Sequence, residues 1–204
     1  MLRQSTIALG AAIVLAASSI TVAPVLGQEA AATAELPLLV TSCGQSPGPV
    51  YLRVFLNRLG YDFEFNTLAT VEDMAARRQA GNPFKSLLIV TGASRKGMGA
   101  AGVSIEQELD RAAELIAEAR GQGMTVIGAH IEGMERRAQG AAPGDNTDEQ
   151  SIDAVMPNAD MLLVLREGDE DGRFTAISTD AGIPMIVFDK LTELSDVLKR
   201  VFGG

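Results

Sequence analysis

Cysteine and histidine are almost absent from this 204-residue chain, which contains one of each, Cys43 and His130. A single cysteine cannot form an internal disulfide, so the hydrophobic core has to stabilise the fold alone. We expect the lone thiol to be buried, which is the commoner outcome for an isolated cysteine. One His and one Cys offer no ligand spacing for zinc, and no Asp-x-Asp-x-Asp calcium loop occurs. The composition therefore predicts no metal site.

Basic residues are also scarce, since 17 Lys and Arg stand against 26 Asp and Glu, a net charge of −9. Removal of residues 1–27 would remove Arg3 and no acid, leaving 16 basic residues, 26 acidic residues and a net charge of −10. Proteins that bind nucleic acids or anionic membranes need a basic face. We therefore expect no nucleic-acid partner.

Long apolar runs are missing after the N-terminus, where residues 7–20 form one apolar stretch. Arg3 precedes this stretch and the small residue Gly27 follows it, an order typical of a signal peptide and its cleavage site. The stretch is short for a membrane anchor and is interrupted by Ser and Thr. We expect a periplasmic or secreted protein without membrane insertion after cleavage. The predicted segments are a signal peptide at 1–27, a flexible leader at 28–36 and a single domain at 37–204.

Short apolar runs alternate with helical patterns along the rest of the chain. Such runs are typical of parallel strands that are covered on both faces, so the pattern predicts a three-layer, flavodoxin-like (Rossmann-like) α/β fold. The second strand alternates aromatic and polar residues, which places it at an edge and favours the strand order 2-1-3-4-5 with the sixth strand on the far side. The predicted strands lie at 38–40, 61–66, 87–90, 126–129, 161–165 and 185–188. The predicted helices begin near residues 49, 70, 104, 147, 174 and 194.

A glycine-rich segment over residues 92–102 follows the third strand, and we interpret it as a loop. Its glycines Gly92, Gly97 and Gly99 are spaced by five and two residues, unlike the phosphate loop of short-chain dehydrogenases, and no Gly-Lys-Ser/Thr occurs for a Walker A loop. We therefore predict no nucleotide cofactor.

Three loops leave the carboxyl ends of neighbouring strands in the predicted sheet and should border one crevice. Two of them lead into helix N-termini, whose free N–H groups favour anions. Because basic side chains gather there in an acidic chain, we predict a binding protein for a small anion, with a membrane transporter as a candidate partner. The predicted ligand-binding residues are Ser42, Gln45, Ser46, Ser94, Arg95, Lys96, Gly97, His130, Arg136 and Arg137.

Two other functional classes remain open from the sequence. The first is a hydrolase that uses Cys43 or His130, although no third, orienting group is visible for either. The second is a protein-interaction module without catalysis, which requires an exposed apolar patch. The bland alternative for the predicted site is that its side chains point separately into solvent.

Three motifs carry a resemblance to a known family. They are Thr-Ser-x-Gly-Gln-Ser at 41–46, Gly-Ala-Ser-x-Lys-Gly-x-Gly-Ala-Ala-Gly at 92–102, and Gly-x-His-Ile-x-Gly followed by two arginines at 128–137. With them the chain resembles a bacterial family known as domain of unknown function 6305, from about residue 37 onward. The resemblance implies an exported, single-domain α/β protein and implies no activity.

Export makes a direct prediction about the N-terminus. Mass spectrometry of protein released from the cell envelope or the medium should find a chain that begins near Gln28 or Glu35, because signal peptidase removes the preceding segment. Recovery of the full-length chain from the cytoplasm would contradict the prediction.

Overall fold

The computed structural model describes residues 34–138 and 146–204. Within these residues, six parallel strands form one sheet in the order β2-β1-β3-β4-β5-β6, with every neighbouring pair parallel. The predicted flavodoxin-like order is thereby confirmed, with the sixth strand at the far edge. The strands are β1 (Leu38–Cys43), β2 (Phe63–Phe65), β3 (Ser86–Thr91), β4 (Thr125–His130), β5 (Met161–Leu165) and β6 (Met185–Phe188).

Helices cover both faces of the sheet, which makes the architecture three-layered. The α-helices among the described residues are α1 (Gly48–Leu59), α2 (Val71–Gln79), α3 (Arg95–Ala101), α4 (Ile105–Gly121), α5 (Thr147–Val155), α6 (Arg173–Ala181) and α7 (Leu194–Phe202). Helices α1 and α7 pack on one face, and α2, α4, α5 and α6 pack on the other. Short 3-10 helices lie at Gly133–Arg136, Met156–Asn158, Arg166–Asp169 and Leu191–Glu193. None of the helices in the described ranges is long and apolar enough to cross a membrane.

Strand β3 shows why apolar runs in this chain become central strands. Leu87 and Ile89 enter the core under α4 and α5, whereas Leu88 and Val90 enter the core under α1 and α7. Because successive side chains point to opposite faces, a strand covered on both faces needs consecutive apolar residues, as at positions 87–90. All six residues of β3 are buried.

Helix ends follow their local capping signals. Helix α4 begins at the predicted capping box, in which Ser104 accepts from the Gln107 N–H and Gln107 accepts from the Ser104 N–H. Helix α1 ends at Gly60, whose φ of 68° is the left-handed conformation that glycine adopts without strain. Helix α5 begins at Thr147, as predicted, and Asn146 is its N-cap.

Two sequence-based expectations are wrong in detail. Part of the segment expected to be a loop is the helix α3, which Ser94 caps by accepting from the Gly97 N–H at 3.0 Å. The end of the expected leader is packed, since Ala34 is buried and its N–H donates to the carbonyl of Val201 at 3.1 Å. The predicted signal peptide and residues 28–33 lie outside the described residues.

The loops after β1 and β3 are in direct contact at the point where the strand order reverses. The Ser94 N–H donates to the carbonyl of Gly44 at 2.7 Å. Gly97 faces the same loop, and a methyl group on its α-carbon would lie 2.1 Å from the carbonyl oxygen of Gln45. Gly44, with a φ of +102°, would bring a methyl group 2.6 Å from the carbonyl oxygen of Gly92. Glycine at these positions therefore allows the two loops to meet.

This contact predicts different effects for two glycines of the same short helix. Gly97→Ala should lower the free energy of unfolding by about 1–3 kcal/mol, the usual effect of forcing extra volume into a packed site. Gly99→Ala is the matched control, because no atom lies within 4 Å of the added methyl group. Alanine favours helix over glycine, so this control should be neutral or stabilise by up to about 1 kcal/mol. Urea unfolding measures both, and equal effects would show that the loops do not pack as described.

Candidate functional site

The crevice at the carboxyl ends of β1, β3 and β4 is occupied by the protein's own carboxylates. Glu108 of α4 is fully buried and accepts from the Gly44 N–H at 2.8 Å and from Gln45 Nε2 at 2.9 Å. Arg111 neutralises this carboxylate, with 2.9 Å between Arg111 Nη2 and Glu108 Oε2. The loop after β1 was expected to donate hydrogen bonds to a ligand, but Glu108 accepts those of the Gly44 N–H and Gln45 Nε2.

Ser42 and Gln45 consequently have structural roles. The Ser42 side chain is buried, and its hydroxyl oxygen accepts from the Gln45 N–H at 3.0 Å. Gln45 Nε2 also donates to the carbonyl of Thr67 at 2.8 Å. These contacts hold Gln45 at a φ of 57°, a left-handed conformation that is uncommon for residues other than glycine.

Two further carboxylates satisfy backbone N–H groups at the same edge. Glu132 Oε2 accepts from the Gly48 N–H at the start of α1, at 2.9 Å. Asp148 Oδ1 accepts from the Ala93 N–H at 2.6 Å. Burial raises the pKa of Asp148 above its usual value. Sequence reasoning missed all three acids, although Glu108 gave a signal: it lies three residues after Ile105 and four before Ala112, on the apolar face of α4.

His130 lies in the core and not at the rim of the crevice, contrary to the expectation from sequence. Its Nε2 is 2.9 Å from the carbonyl oxygen of Gly133, and its Nδ1 is 3.2 Å from Thr91 Oγ1. A carbonyl only accepts, so in the neutral ring Nε2 carries the proton and Nδ1 is the acceptor. The Thr91 hydroxyl also lies 3.3 Å from the carbonyl oxygen of Ala129, so its single proton is shared between two acceptors. The ring also stacks on Phe174, with centroids 4.8 Å apart. Burial lowers the pKa of His130 to about 4, so the ring is neutral near pH 7.

Arg137 also points away from the crevice, into an internal ion-pair network. Its side chain has no exposed area and lies 2.7 Å from both Glu149 Oε1 and Asp171 Oδ2. The guanidinium also lies over the Phe174 ring, 5.2 Å from its centroid. A buried arginine with two carboxylate partners stabilises the junction of α5 and α6 and offers nothing to a ligand in the crevice.

Arg136 does reach the crevice, next to Ser46. Its side chain is 27% exposed, with Nη1 donating to the carbonyl of Ala93 at 3.2 Å and Nε 3.4 Å from Glu132 Oε1. A methyl group on Gly92 would lie 3.1 Å from Arg136 Cβ and 3.4 Å from Ser46 Cβ, so both side chains lie against Gly92. We call Ser46, Glu132, Arg136 and Asp148 the Ser46 cluster.

The Ser46 hydroxyl is the unusual group of this cluster. Ser46 is 5% exposed, and its Oγ has no hydrogen-bond partner among the described residues. Buried polar groups in folded proteins are nearly always hydrogen-bonded, so such a hydroxyl requires an explanation.

The remaining predicted residues belong to α3. Arg95 and Lys96 are exposed in its first turn. Ser94 is the N-cap, and Gly97 packs on the loop after β1. The two cations are therefore available near the crevice, whereas Ser94 and Gly97 shape its wall.

Cys43 is buried at the end of β1, as expected. Burial, reinforced by the negative charge of Glu108, raises the pKa of the Cys43 thiol to about 12. A nucleophilic cysteine requires the thiolate, so this thiol is unsuited to catalysis near pH 7. Within residues 34–138 and 146–204, no group of three or more His, Cys, Asp or Glu side chains could hold a metal ion.

A concavity lies at the amino ends of β3 and β4, at the opposite end of these strands from the crevice. Ala34, Glu35, Lys85, Gly123 and Thr125 line it. None of the residues predicted to bind a ligand borders this concavity, and the crevice at the carboxyl ends of the strands remains the candidate site.

The burial of His130 gives a prediction with a clear sign. In the unfolded chain the histidine ring has an ordinary pKa near 6.5 and binds a proton below that pH. In the folded protein the ring stays unprotonated until the pH falls to about 4. The free energy of unfolding should therefore be fully retained above about pH 6.5 and fall as the pH drops to 4, by about 3 kcal/mol. Because the chain has one histidine, NMR of untagged protein reports on His130 alone.

The folded protein should show histidine ring shifts that stay constant between pH 8 and 5.5. The urea-unfolded chain is the control and should titrate near the ordinary value of about 6.5. A folded-state midpoint near 6.5 would place the ring in solvent and contradict the buried position.

Comparisons with known proteins give a family match and weak likenesses to solved structures. The family described as Domain of unknown function (DUF6305) matches residues 35–202. No curated protein matches the chain. Among solved structures, the chain is similar to the psychrotrophic esterase EstA from Pseudoalteromonas sp., at 12% identity and a TM-score of 0.31, over 74% of this chain and 76% of that chain.

Two other solved structures are similar at the same low level. TesA is 14% identical with a TM-score of 0.30, over 81% of this chain and 96% of that chain. The acetyl xylan esterase AlAXEase is 11% identical with a TM-score of 0.34, over 79% of this chain and 84% of that chain. Likenesses this weak carry no argument about activity.

The family match begins one residue after the buried Ala34 and ends at Phe202, the last residue of α7. It includes all three loops that border the crevice. The chain belongs to the family of domain of unknown function 6305.

Proposed function

We propose that this protein binds a small anionic ligand at the Ser46 cluster. The observation that carries the proposal is the buried Ser46 hydroxyl, which has no hydrogen-bond partner among the described residues and belongs to a side chain that lies, with that of Arg136, against Gly92. The cluster lies where the strand order reverses, the position at which open α/β sheets bind ligands.

An unsatisfied buried hydroxyl is costly, since leaving such a group without a hydrogen bond destabilises a protein by about 1–3 kcal/mol. A ligand oxygen that accepts from Ser46 Oγ would remove that penalty only in the bound state. The Ser46 hydroxyl therefore destabilises the free protein and would stabilise a complex with such a ligand.

Arg136 can supply the positive charge for such a ligand. Its Nη1 and Nε face Ala93 and Glu132, whereas its Nη2 makes no hydrogen bond to any residue that the structure describes. Arg95 and Lys96 add two exposed cations at the start of α3. Ser42, Gln45, His130 and Arg137 do not take part in the proposed site, because internal contacts occupy them.

The hydrolase alternative is less well supported. Cys43 is a neutral buried thiol, and His130 is a neutral ring with both nitrogens engaged. A nucleophile and a base have to reach the substrate and each other. Neither side chain is exposed to do so.

The interaction-module alternative requires an exposed apolar patch, and α1 carries a small one. Val50, Tyr51 and Val54 are 41–43% exposed on its outer side. Stable interfaces bury roughly 800 Å² on each partner, far more than three side chains that are each more than half buried can supply. Ligand binding at the Ser46 cluster is therefore the better-supported role.

We also propose that the protein acts in the periplasm or as a secreted protein. The support is the signal-peptide pattern of residues 1–27, which lies outside the described residues. A role as the accessory of a membrane transporter fits an exported binding protein.

The substitution Ser46→Ala should weaken ligand binding without lowering the free energy of unfolding. The hydroxyl makes no hydrogen bond within the described structure, so its removal should leave the free energy of unfolding unchanged or slightly higher. Affinity for inorganic phosphate or propionate, measured by isothermal titration calorimetry, should fall. Arg136→Gln should weaken the same binding by about 1.5–3 kcal/mol, the value of a hydrogen bond to a charged group.

Arg200→Gln is the matched control, since Arg200 is exposed at the far end of α7. It removes the same charge and should leave affinity unchanged. Equal losses of affinity in Arg136→Gln and Arg200→Gln would show that net charge alone causes the effect, which would contradict the proposed site.

A further inference from the structure

We infer that Glu132 is an internal competitor of the ligand. In the free protein its carboxylate contacts the guanidinium of Arg136, the group that the anion needs, and this contact limits the affinity for anions. The inference rests on the proposed function, because it takes Ser46 and Arg136 as the ligand contacts. It adds a residue that weakens binding, whereas the proposed function names those that strengthen it.

The Glu132 carboxylate lies at the start of α1, a position that favours anions. Its Oε2 accepts from the Gly48 N–H at 2.9 Å, and a methyl group on Gly48 would lie 2.6 Å from the same oxygen. Helix α1 provides no such group itself, since its first turn contains no acidic residue and its N-cap, Pro47, makes no side-chain hydrogen bond. Because the N–H groups at a helix start attract negative charge, Glu132 supplies the charge that a bound anion could supply.

The other oxygen of this carboxylate faces Arg136 and binds it loosely. Glu132 Oε1 lies 3.4 Å from Arg136 Nε, whereas hydrogen bonds between charged groups are usually about 2.7–2.9 Å long. Arg111 and Arg137 lie 2.9 and 2.7 Å from the carboxylates that neutralise them, and their side chains are less exposed than that of Arg136. Of these three arginines, Arg136 is therefore the one that an external anion can draw from its partner.

Glu132 also opposes an anion through its charge. Its side chain is 4% exposed, so water and salt screen the charge weakly. A ligand oxygen bound to Arg136 would lie close to this like charge, and the repulsion would reduce the gain from the guanidinium. Asp148 also interacts with the charge of Arg136, but Glu132 is the acid that contacts its Nε.

Neither an acid nor the start of α1 would define a binding site by itself, and the independent observation is the Ser46 hydroxyl. Ser46 lies two residues before Gly48 and is 5% exposed, and its Oγ has no partner in the described ranges. Glu132 thus binds the start of α1 and one nitrogen of Arg136 but leaves the hydroxyl unsatisfied. An external anion that also accepts from Ser46 would have an advantage over the internal carboxylate.

Glu132→Gln tests the inference directly, because it removes the charge and keeps the shape. The amide oxygen can still accept from the Gly48 N–H, so the start of α1 should be preserved, and thermal unfolding checks this. Affinity for inorganic phosphate, measured by isothermal titration calorimetry, should rise by about tenfold or more, the size expected for losing a weakly screened like charge. Should this variant unfold, Glu132→Asp draws the carboxylate back by one methylene and should also raise the affinity.

Glu135→Gln is the matched control. Glu135 is exposed on the same 3-10 helix, Gly133–Arg136, so the substitution removes an equal charge close by. Because solvent screens an exposed charge, its removal should change the affinity by less than about twofold. Arg95, Lys96 and Asp148 are the same in both variants, so the comparison isolates the effect of Glu132.

A double variant separates competition for Arg136 from repulsion alone. If Glu132 acts by holding the guanidinium, the combination of Glu132→Gln and Arg136→Gln should bind phosphate no more tightly than Arg136→Gln. If the double variant keeps the full gain in affinity, Glu132 does not act through Arg136 and the inference is wrong.

The outcomes distinguish this inference from the proposed function. If phosphate binds the natural protein through Ser46 and Arg136, and Glu132→Gln leaves the affinity unchanged or lowers it, the inference fails and the proposed function stands. Equal gains in Glu132→Gln and Glu135→Gln would show an effect of net charge and would also contradict the inference. If neither phosphate nor propionate binds the natural protein or Glu132→Gln, both fail.

Discussion

The buried ion pair between Glu108 and Arg111 holds the end of the sheet at which the strand order reverses. Charges taken out of water are tolerated only when hydrogen bonds satisfy them. Glu108 accepts from the Gly44 N–H and from Gln45, and Arg111 donates to Thr41 Oγ1 and to the carbonyls of Ala69 and Ser42. The pair thereby connects α4 to the loop after β1 and keeps Gln45 in its left-handed conformation.

Two more carboxylates around the crevice accept hydrogen bonds from backbone N–H groups. Glu132 satisfies the start of α1, and Asp148 satisfies the N–H of Ala93. Backbone donors that favour an external anion in other α/β proteins are thus bound here by internal ones. What remains for a ligand is the Ser46 hydroxyl and the partly exposed Arg136 guanidinium.

The sequence predicted the fold well because the relevant signals are local. A buried parallel strand such as β3 has consecutive apolar residues along its centre, and the capping box at Ser104 marks the start of α4 within four residues. It predicted the helix α3 poorly, because two of its seven positions are the glycines Gly97 and Gly99. Low helix propensity was overridden by the cap at Ser94 and by packing against the loop after β1.

By itself, the sequence determined the parallel sheet, its strand order and the meeting of three loops at one edge, since burial periodicity and strand connections dictate them. It also brought Ser46 and Arg136 into the predicted site. Only the tertiary structure decided which side chains at the predicted site are occupied by internal hydrogen bonds. Glu108 lies 64 residues from Gly44, and Glu132 lies 84 residues from Gly48. Hydrogen bonds over such separations follow from packing, which is why His130 and Arg137, predicted from the sequence to bind a ligand, are buried in internal contacts. The Ser46 hydroxyl, by contrast, has no partner in the described part of the chain.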